Sequence, residues 1–379
     1  MLDIATILSE NQLDGDSGRW DDIIHSVSAT DVERQLDCAP GKYSAQRLAV
    51  LISPAASNYL EIMAQQAHDL TKQRFGRTIQ LYAPLYLSNH CVNRCLYCGY
   101  NTDGDFERTR LSIEEALSDA QIIAEEGFRH ILLVSGEDTK YVSVEYLAEL
   151  AGELRKTFSS ISIEIYPMDT DGYKALFDAG IDGITLYQET YNRRHYEHYH
   201  AAGPKRDYDF RIRTHDRAAT AGMRRLGIGT LLGLCDWRQD TMAMAEHAAY
   251  LMKKYWRSQV SFSFPRLRPA LNVADNFEHL VSDTEMVQMM LALRLCFADA
   301  GIVLSTRERA DFRDNLLKLA VTRLSAGSKT NPGGYSGKSD SAEQFQIDDD
   351  RTPEQMAGVI KNAGMEAVWK DWDASFAAK

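Results

Sequence analysis

Three of the chain's six cysteines fall in one short segment, Cys91-Val-Asn-Arg-Cys95-Leu-Tyr-Cys98. Three thiolates on one loop can wrap a cubic iron–sulfur cluster, each taking one iron. A 4Fe-4S cluster has a fourth iron, left here without a protein ligand, and an open iron is where a small molecule binds and reacts. Two other readings compete. A zinc site would need a fourth ligand, for which His90 is adjacent, but closed zinc sites normally use paired spacings from two segments. Chance clustering of buried cysteines is the other. A disulfide would leave one thiol of the three unpaired. Tyr97, directly before the third cysteine, could stack on an adenine.

Such a loop needs a frame that holds it still. The chain has 379 residues, with 42 Lys and Arg against 54 Asp and Glu, a formal net charge of −12. An acidic chain has no long-range attraction for phosphate backbones, which argues against general nucleic-acid or anionic-membrane binding. No apolar run approaches the length needed to cross a bilayer. The N-terminus shows no basic region followed by a long apolar one, so a secretory signal is not expected. Six cysteines are too sparse for a disulfide scaffold. The expectation is a cytoplasmic protein with reduced thiols.

Residues 1–75 read as a helical extension, with apolar positions three and four apart. From residue 79, short apolar runs alternate with helix-length amphipathic stretches. Eight such runs predict strands: Ile79–Leu87, His130–Val134, Ile161–Tyr166, Gly183–Tyr187, Gly227–Leu232, Gln259–Phe264, Ile302–Ser305 and Leu319–Leu324. Gly127, Gly180, Gly222 and Gly301 punctuate the ends of helices before strands. Continuous apolar strands alternating with helices imply a parallel sheet buried on both faces. The predicted fold is α/β, a (β/α)8 TIM-type barrel over residues 76–325, with a six-unit open barrel as the alternative. Residues 326–379, rich in Gly, Ser and Asp before turning helical, are expected to form a loop and helix closing the mouth. The cysteine loop follows the first strand, on the face where parallel barrels keep their chemistry.

At this point the sequence resembles a known family. CxxxCxxC with an aromatic before the last Cys, after a first barrel strand, is the signature of the radical S-adenosylmethionine (SAM) enzymes. Leu85-Tyr-Leu-Ser-Asn, Tyr187-Gln-Glu-Thr-Tyr, Phe264-Pro-Arg-Leu-Arg-Pro, Leu304-Ser-Thr-Arg-Glu and Val368-Trp-Lys-Asp-Trp-Asp are similar to the tyrosine lyases of thiamine biosynthesis, the 2-iminoacetate synthases. The resemblance covers nearly the whole chain. It implies the radical SAM kind of barrel, a 4Fe-4S cluster on Cys91, Cys95 and Cys98, and SAM bound at the open iron. It also implies cleavage of the Cα–Cβ bond of L-tyrosine to 2-iminoacetate and p-cresol, with the former passing to thiazole synthase.

Further site residues follow. Ser135-Gly136-Glu137 resembles the family's GGE motif, with Ser for the first Gly, and would bind the SAM amino group; an ordinary helix start is the alternative. Gln188 and Glu189 end an apolar strand and need polar partners if buried. A ribose diol or a substrate head group would supply them, and a strand end meeting solvent is the alternative. A basic stretch from Lys205 to Arg225 reads mostly as a solvated helix face, within which Arg217 would reach the SAM carboxylate, as in related barrels. It could also dock an acidic, flavodoxin-type reductant. An amino-acid carboxylate in a dry pocket calls for an Arg fork. By resemblance to aromatic amino acid lyases this is Arg307, completed by Tyr86 and Ser325; a surface ion pair of Arg307 with Glu308 or Asp311 is the alternative. Arg266 and Arg268 are weaker candidates. His195, His198 and His200 with Tyr196 and Tyr199 read as a loop over the mouth rather than a metal site.

Competing functions remain. A hydrogenase-maturation tyrosine lyase would carry a C-terminal cluster, yet Cys296 is the last cysteine. Sulfur insertion would need auxiliary-cluster ligands, whereas Cys38, Cys235 and Cys296 are scattered and read as buried apolar residues. A tryptophan lyase and a non-catalytic iron–sulfur scaffold stay open.

Overall fold

A computed structural model describes residues 2–16, 18–271, 273, 276–337 and 341–370. Eight parallel strands close on themselves: β1 Thr78–Ser88, β2 His130–Ser135, β3 Ser160–Glu164, β4 Gly183–Thr185, β5 Arg225–Gly229, β6 Gln259–Ser263, β7 Gly301–Leu304 and β8 Arg323–Ser325. Closure is made by β8 pairing with β1, Leu324 opposite Leu81. The fold is the TIM-type barrel expected, and the six-unit open alternative is set aside. Among the described residues no helix is long and apolar enough to cross a membrane.

The strands form because their outward faces are apolar and meet amphipathic helices. Helix starts are set by side-chain caps: Ser112 with Glu115 and Ser282 with Glu285 make reciprocal capping boxes. Gly180 and Gly222 end their helices at φ of 113° and 111°, a left-handed geometry that costs a side chain energy. Gly301 does something else. The preceding helix, Asp283–Cys296, ends with the buried Arg294 guanidinium donating to the carbonyls of Phe297, Ala298 and Ala300. Gly301 instead opens β7, close against Ser261.

The barrel interior departs from the expectation of strands apolar on both faces. In β3, Ile161 and Ile163 join the core outside, while Ser160, Ser162 and Glu164 line a cavity on the axis. In β6, Val260 and Phe262 face out and Ser261 and Ser263 face in. Arg225 and Arg323 open β5 and β8 and face the same interior. That explains two displaced boundaries. The runs predicted from Gly227 and Leu319 weighed apolar character, whereas the strands start or lie around inward polar residues.

The helices before β1 lie along the barrel flank. Ile4–Glu10 and Ala45–Leu51 pack on the helix Trp237–Lys254, and Leu60–Phe75 packs on Asp283–Cys296. After β8 the chain crosses the mouth. Tyr335 Oη donates to Pro84 O at 2.8 Å, and the amides of Asp348 and Asp349 donate to Thr306 O. Asp349 then forms a fully buried pair with Arg313 that fixes the crossing. The chain runs down through the helix Pro353–Asn362 to a ninth strand, β9 Glu366–Val368, beside the start of β1. Of the motif Val368-Trp-Lys-Asp-Trp-Asp, Asp371, Trp372 and Asp373 lie outside the described residues.

Candidate active site

The cysteine loop leaves β1 at Ser88 and is held at both ends. Buried Asn89 accepts from the Thr109 amide and donates to Glu107 O. Arg108 gathers the carbonyls of Asn89, Tyr100 and Asn101. In its middle, Arg94 and Cys95 pair antiparallel with His200–Ala202. The His/Tyr patch is therefore a short helix, Arg193–Tyr199, and a ribbon that clasps the cysteine loop, rather than a free loop over the mouth. His200 is fixed between Tyr196 O, to which Nδ1–H donates at 2.6 Å, and the Tyr97 hydroxyl, from which Nε2 accepts at 2.8 Å. Burial holds its pKa well below the usual imidazole range, so it stays neutral.

All three thiols line one cavity of about 600 Å³ at the C-terminal ends of the strands. Among the described residues no three His, Cys, Asp or Glu side chains are set for a single metal ion, so the thiols stand around a space rather than closing on a point. Burial pushes the Cys95 thiol up to about 12 and raises Cys98 as well. Thiolates here need positive charge to form, and cluster irons supply it. The donor set fits a cluster bound through three sulfurs and open toward the cavity. Cys235 and Cys296 are buried as expected; Cys38 is exposed, capping Arg34 O through its thiol.

The opposite cavity wall is charged. Glu189 holds a left-handed backbone, φ 71°, rare for a residue with a side chain and a mark of functional strain. Its carboxylate accepts from Lys205 Nζ at 2.6 Å and Arg211 at 3.3 Å. Glu189 is flanked by these two cations and Glu137 lines the same cavity, so the wall presents both signs of charge to a ligand. Arg211, not Arg217, is on this wall. Arg217 lies on the next helix, stacked over Phe210 and donating to Met168 O and Phe210 O. Arg211 is buried and Lys205 half-buried, rather than part of a solvated face. Tyr187 and Glu189 line the cavity, whereas Gln188 between them points away, and its buried amide nitrogen finds no partner among the described residues. Tyr97 packs behind the thiols on Tyr199 and His200 and is not part of the cavity wall.

Ser135, Gly136 and Glu137 do line the cavity. Glu137 accepts from Asn93 Nδ2 at 2.6 Å, and its carbonyl accepts from the Val92 amide, tying this turn to the cysteine loop. The two turns touch so closely at Gly136 that a Cβ would lie 2.3 Å from His90 O. We expect Gly136→Ala to push them apart and raise the KM for SAM by about tenfold, the effect of roughly 1–2 kcal/mol of overpacking. Steady-state assays at saturating amino acid check it, and an unchanged KM would show the turn does not hold the ligand.

A second cavity, about 470 Å³, adjoins the first and is lined by Arg307, Tyr86 and Ser325 together. Arg307 has no carboxylate within ion-pair range among the described residues; its guanidinium lies 3.4 Å over the Phe345 ring. Glu308 pairs instead with Arg266 and Arg268, which accounts for those two arginines. Ser325 Oγ accepts from the Thr306 amide at 3.1 Å, and Tyr86 Oη donates to Gln344 Oε1 at 2.8 Å. Gln344, on the segment that crosses the mouth, also lines the first cavity. The two cavities share Val134, Glu164 and Tyr187. Sequence reading missed Glu164, Lys205, Arg211 and Gln344. The Ile-Ser-Ile-Glu alternation could have flagged Glu164 as an inward residue at a strand's catalytic end.

Comparison with known proteins matches this arrangement. The profile of the radical SAM superfamily matches residues 85–247, and that of the biotin and thiamin synthesis associated domain matches 263–366. The chain is 42% identical over 359 residues to the 2-iminoacetate synthase of Escherichia coli K12, covering 94% of each, and equally similar to that of Salmonella typhimurium LT2. Among solved structures, the FeFe-hydrogenase maturase HydG from Carboxydothermus hydrogenoformans superposes with a TM-score of 0.82 at 30% identity, over 97% of this chain and 82% of that one.

Proposed function

This chain belongs to the 2-iminoacetate synthase family of radical SAM enzymes, and on that premise we propose how its own residues serve the reaction. It is a carbon–carbon lyase: L-tyrosine is cleaved between Cα and Cβ to 2-iminoacetate and p-cresol, in thiamine biosynthesis. A 4Fe-4S cluster and SAM, when bound, supply the hydrogen-abstracting adenosyl radical and leave 5′-deoxyadenosine and methionine.

The observation that carries the assignment of roles is the pairing of cavities. The thiols of Cys91, Cys95 and Cys98 line one, Arg307 lines the other, and the two share a wall at Glu164 and Tyr187. Cys91, Cys95 and Cys98 hold the cluster. Ser135, Gly136, Glu137, Glu189, Lys205 and Arg211 receive SAM, with Arg211 in the place expected of Arg217. Arg307 grips the substrate carboxylate, with Tyr86 and Ser325 beside it. Phe345 holds the guanidinium flat, leaving its edge free for a bidentate grip. The segment through Gln344 covers both cavities and keeps water out. The same reading divides the chain into a helical extension to residue 75, a barrel over 76–325, and a closing segment from 326.

The test is anaerobic. The protein is reconstituted with iron and sulfide, reduced, and given SAM with tyrosine or tryptophan. Equimolar p-cresol and 5′-deoxyadenosine from tyrosine are expected; 3-methylindole from tryptophan instead would reassign the ring pocket.

The reading extends to a cytoplasmic location and two protein partners, thiazole synthase for the unstable imine and an acidic, flavodoxin-type donor. The cysteine loop supports the latter, since Val92, Arg94 and Leu96 are exposed on it, with Arg94 in a solvent-exposed pair with Asp103 that a donor's carboxylate can replace. An electron donor must come close to the cluster, and basic charge there steers an acidic partner. Arg94→Glu is expected to slow reduction by flavodoxin several-fold at low salt while leaving dithionite-driven turnover unchanged. Equal rates with flavodoxin would place the docking face elsewhere.

A further inference from the structure

Glu164 is the ionisable carboxylate on the wall between the two cavities, and none of the roles above uses it. It ends β3 with its side chain inside the barrel. One oxygen accepts from Tyr187 Oη at 3.3 Å, and that hydroxyl also lies 3.2 Å from Ser263 Oγ. The other oxygen makes no hydrogen bond, and no cation is paired with the group, among the described residues. Arg307 lines the same cavity and interacts with it electrostatically. A guanidinium and an unpaired carboxylate in one cavity match the two charges of an amino-acid zwitterion. Resting on the reading of this cavity as the tyrosine site, Arg307 takes the carboxylate. The ammonium is then left for Glu164, on the side facing SAM.

We infer that Glu164 binds the substrate ammonium and takes a proton from it, so that the amine enters the radical step neutral. In that transfer an N–H bond breaks, the nitrogen keeps the electron pair, and an O–H bond forms on the carboxylate. Charge is conserved, and no oxidant or reductant takes part. The groups facing Glu164 are Tyr187 just beyond β4, Tyr82 and Tyr86 from β1, His130, Arg225 and Arg323 around the axial cavity, Arg307 across the substrate cavity, and Glu137, Glu189, Lys205 and Arg211 across the SAM cavity. Burial raises the pKa to about 7, with Arg307 opposing and Glu189 adding to the rise. An acceptor near neutrality is matched to taking and later returning a proton at cellular pH.

The experiment uses the cluster-loaded enzyme. Glu164→Gln is expected to keep its iron content and to lower p-cresol formation at least a hundredfold. In the parent enzyme kcat/KM should rise with pH through about 7, because the carboxylate form is the active one. That limb should vanish in Glu164→Gln and return in Glu164→Asp. Binding to the SAM-loaded enzyme is measured for tyrosine, phenylalanine and 3-(4-hydroxyphenyl)propanoate. The Gln variant should weaken the first two alike, by tenfold or more, and spare the third, which has no ammonium. Weakening of tyrosine alone would assign Glu164 to the phenol and overturn the inference, as would a retained acid limb. A parent enzyme that makes no p-cresol would overturn the tyrosine reading itself, whereas p-cresol made equally by parent and Gln variant overturns this inference alone.

Discussion

Cys95→Ala is expected to leave the protein folded and unable to produce either p-cresol or 5′-deoxyadenosine. Cys95 is the most enclosed of the three cysteines, 4% exposed, and its backbone pairs with His200 in the ribbon that holds the loop. Its Sγ contributes little to packing beyond a small apolar volume, so alanine costs stability only modestly. The loss falls on metal binding. With two sulfurs left, a cubic cluster has two irons without protein ligands, and no fourth cysteine lines the cavity among the described residues. Three measurements check this in one preparation: iron per chain after anaerobic reconstitution, the spin signal of the reduced cluster, and both products by chromatography. Cys235→Ala, outside the cavity, serves as the control and should retain all three. A Cys95→Ala protein that still split SAM would remove the loop from the reaction.

Arg307→Ala is expected to spare the cluster and SAM cleavage while raising the KM for tyrosine. The guanidinium lines the substrate cavity with no carboxylate partner among the described residues, and Phe345 shields one face. Removing it strands the substrate carboxylate, a loss of about 2–5 kcal/mol for a desolvated charge pair. At about 1.4 kcal/mol per tenfold, that is roughly thirty- to several-thousand-fold. Arg307→Lys should recover only part, because an ammonium neither forks onto a carboxylate nor stacks flat on Phe345. The readout is the separation of constants: the KM for tyrosine rises and that for SAM does not. If neither changes, Arg307 is not the carboxylate clamp.

Local sequence was enough for everything that depends on spacing within a loop or period within a strand. The CxxxCxxC segment announced that its thiols would meet at one place without a fold, because three sulfurs on eight consecutive residues are near one another in any compact loop. Alternation of apolar runs with capped helices identified a parallel barrel, because both patterns report which face is buried. Arg307, Tyr86 and Ser325, placed by resemblance, do line one cavity, although β1, β7 and β8 bring them from 86 to 325 in the chain.

Where sequence reading failed, the failures share a cause. Arg217 and Arg211 are six residues apart in one basic run, and nothing in the run says which turns inward; the break between the helices at Arg213 decides it. Gln188 and Glu189 are adjacent in sequence, yet beyond β4, where Glu189 turns to a φ of 71°, only Glu189 faces the cavity. Glu164 sits inside the predicted run Ile161–Tyr166, and its importance comes from standing between two cavities built by other segments. Residue type and local period are properties of the chain alone, so the sequence by itself determined the barrel and the grouping of the three thiols. Which charges end up buried, and which of them face each other across a cavity, depends on segments a hundred or more residues apart meeting at the barrel mouth. Burial and proximity set their electrostatics, and only the tertiary structure decides both.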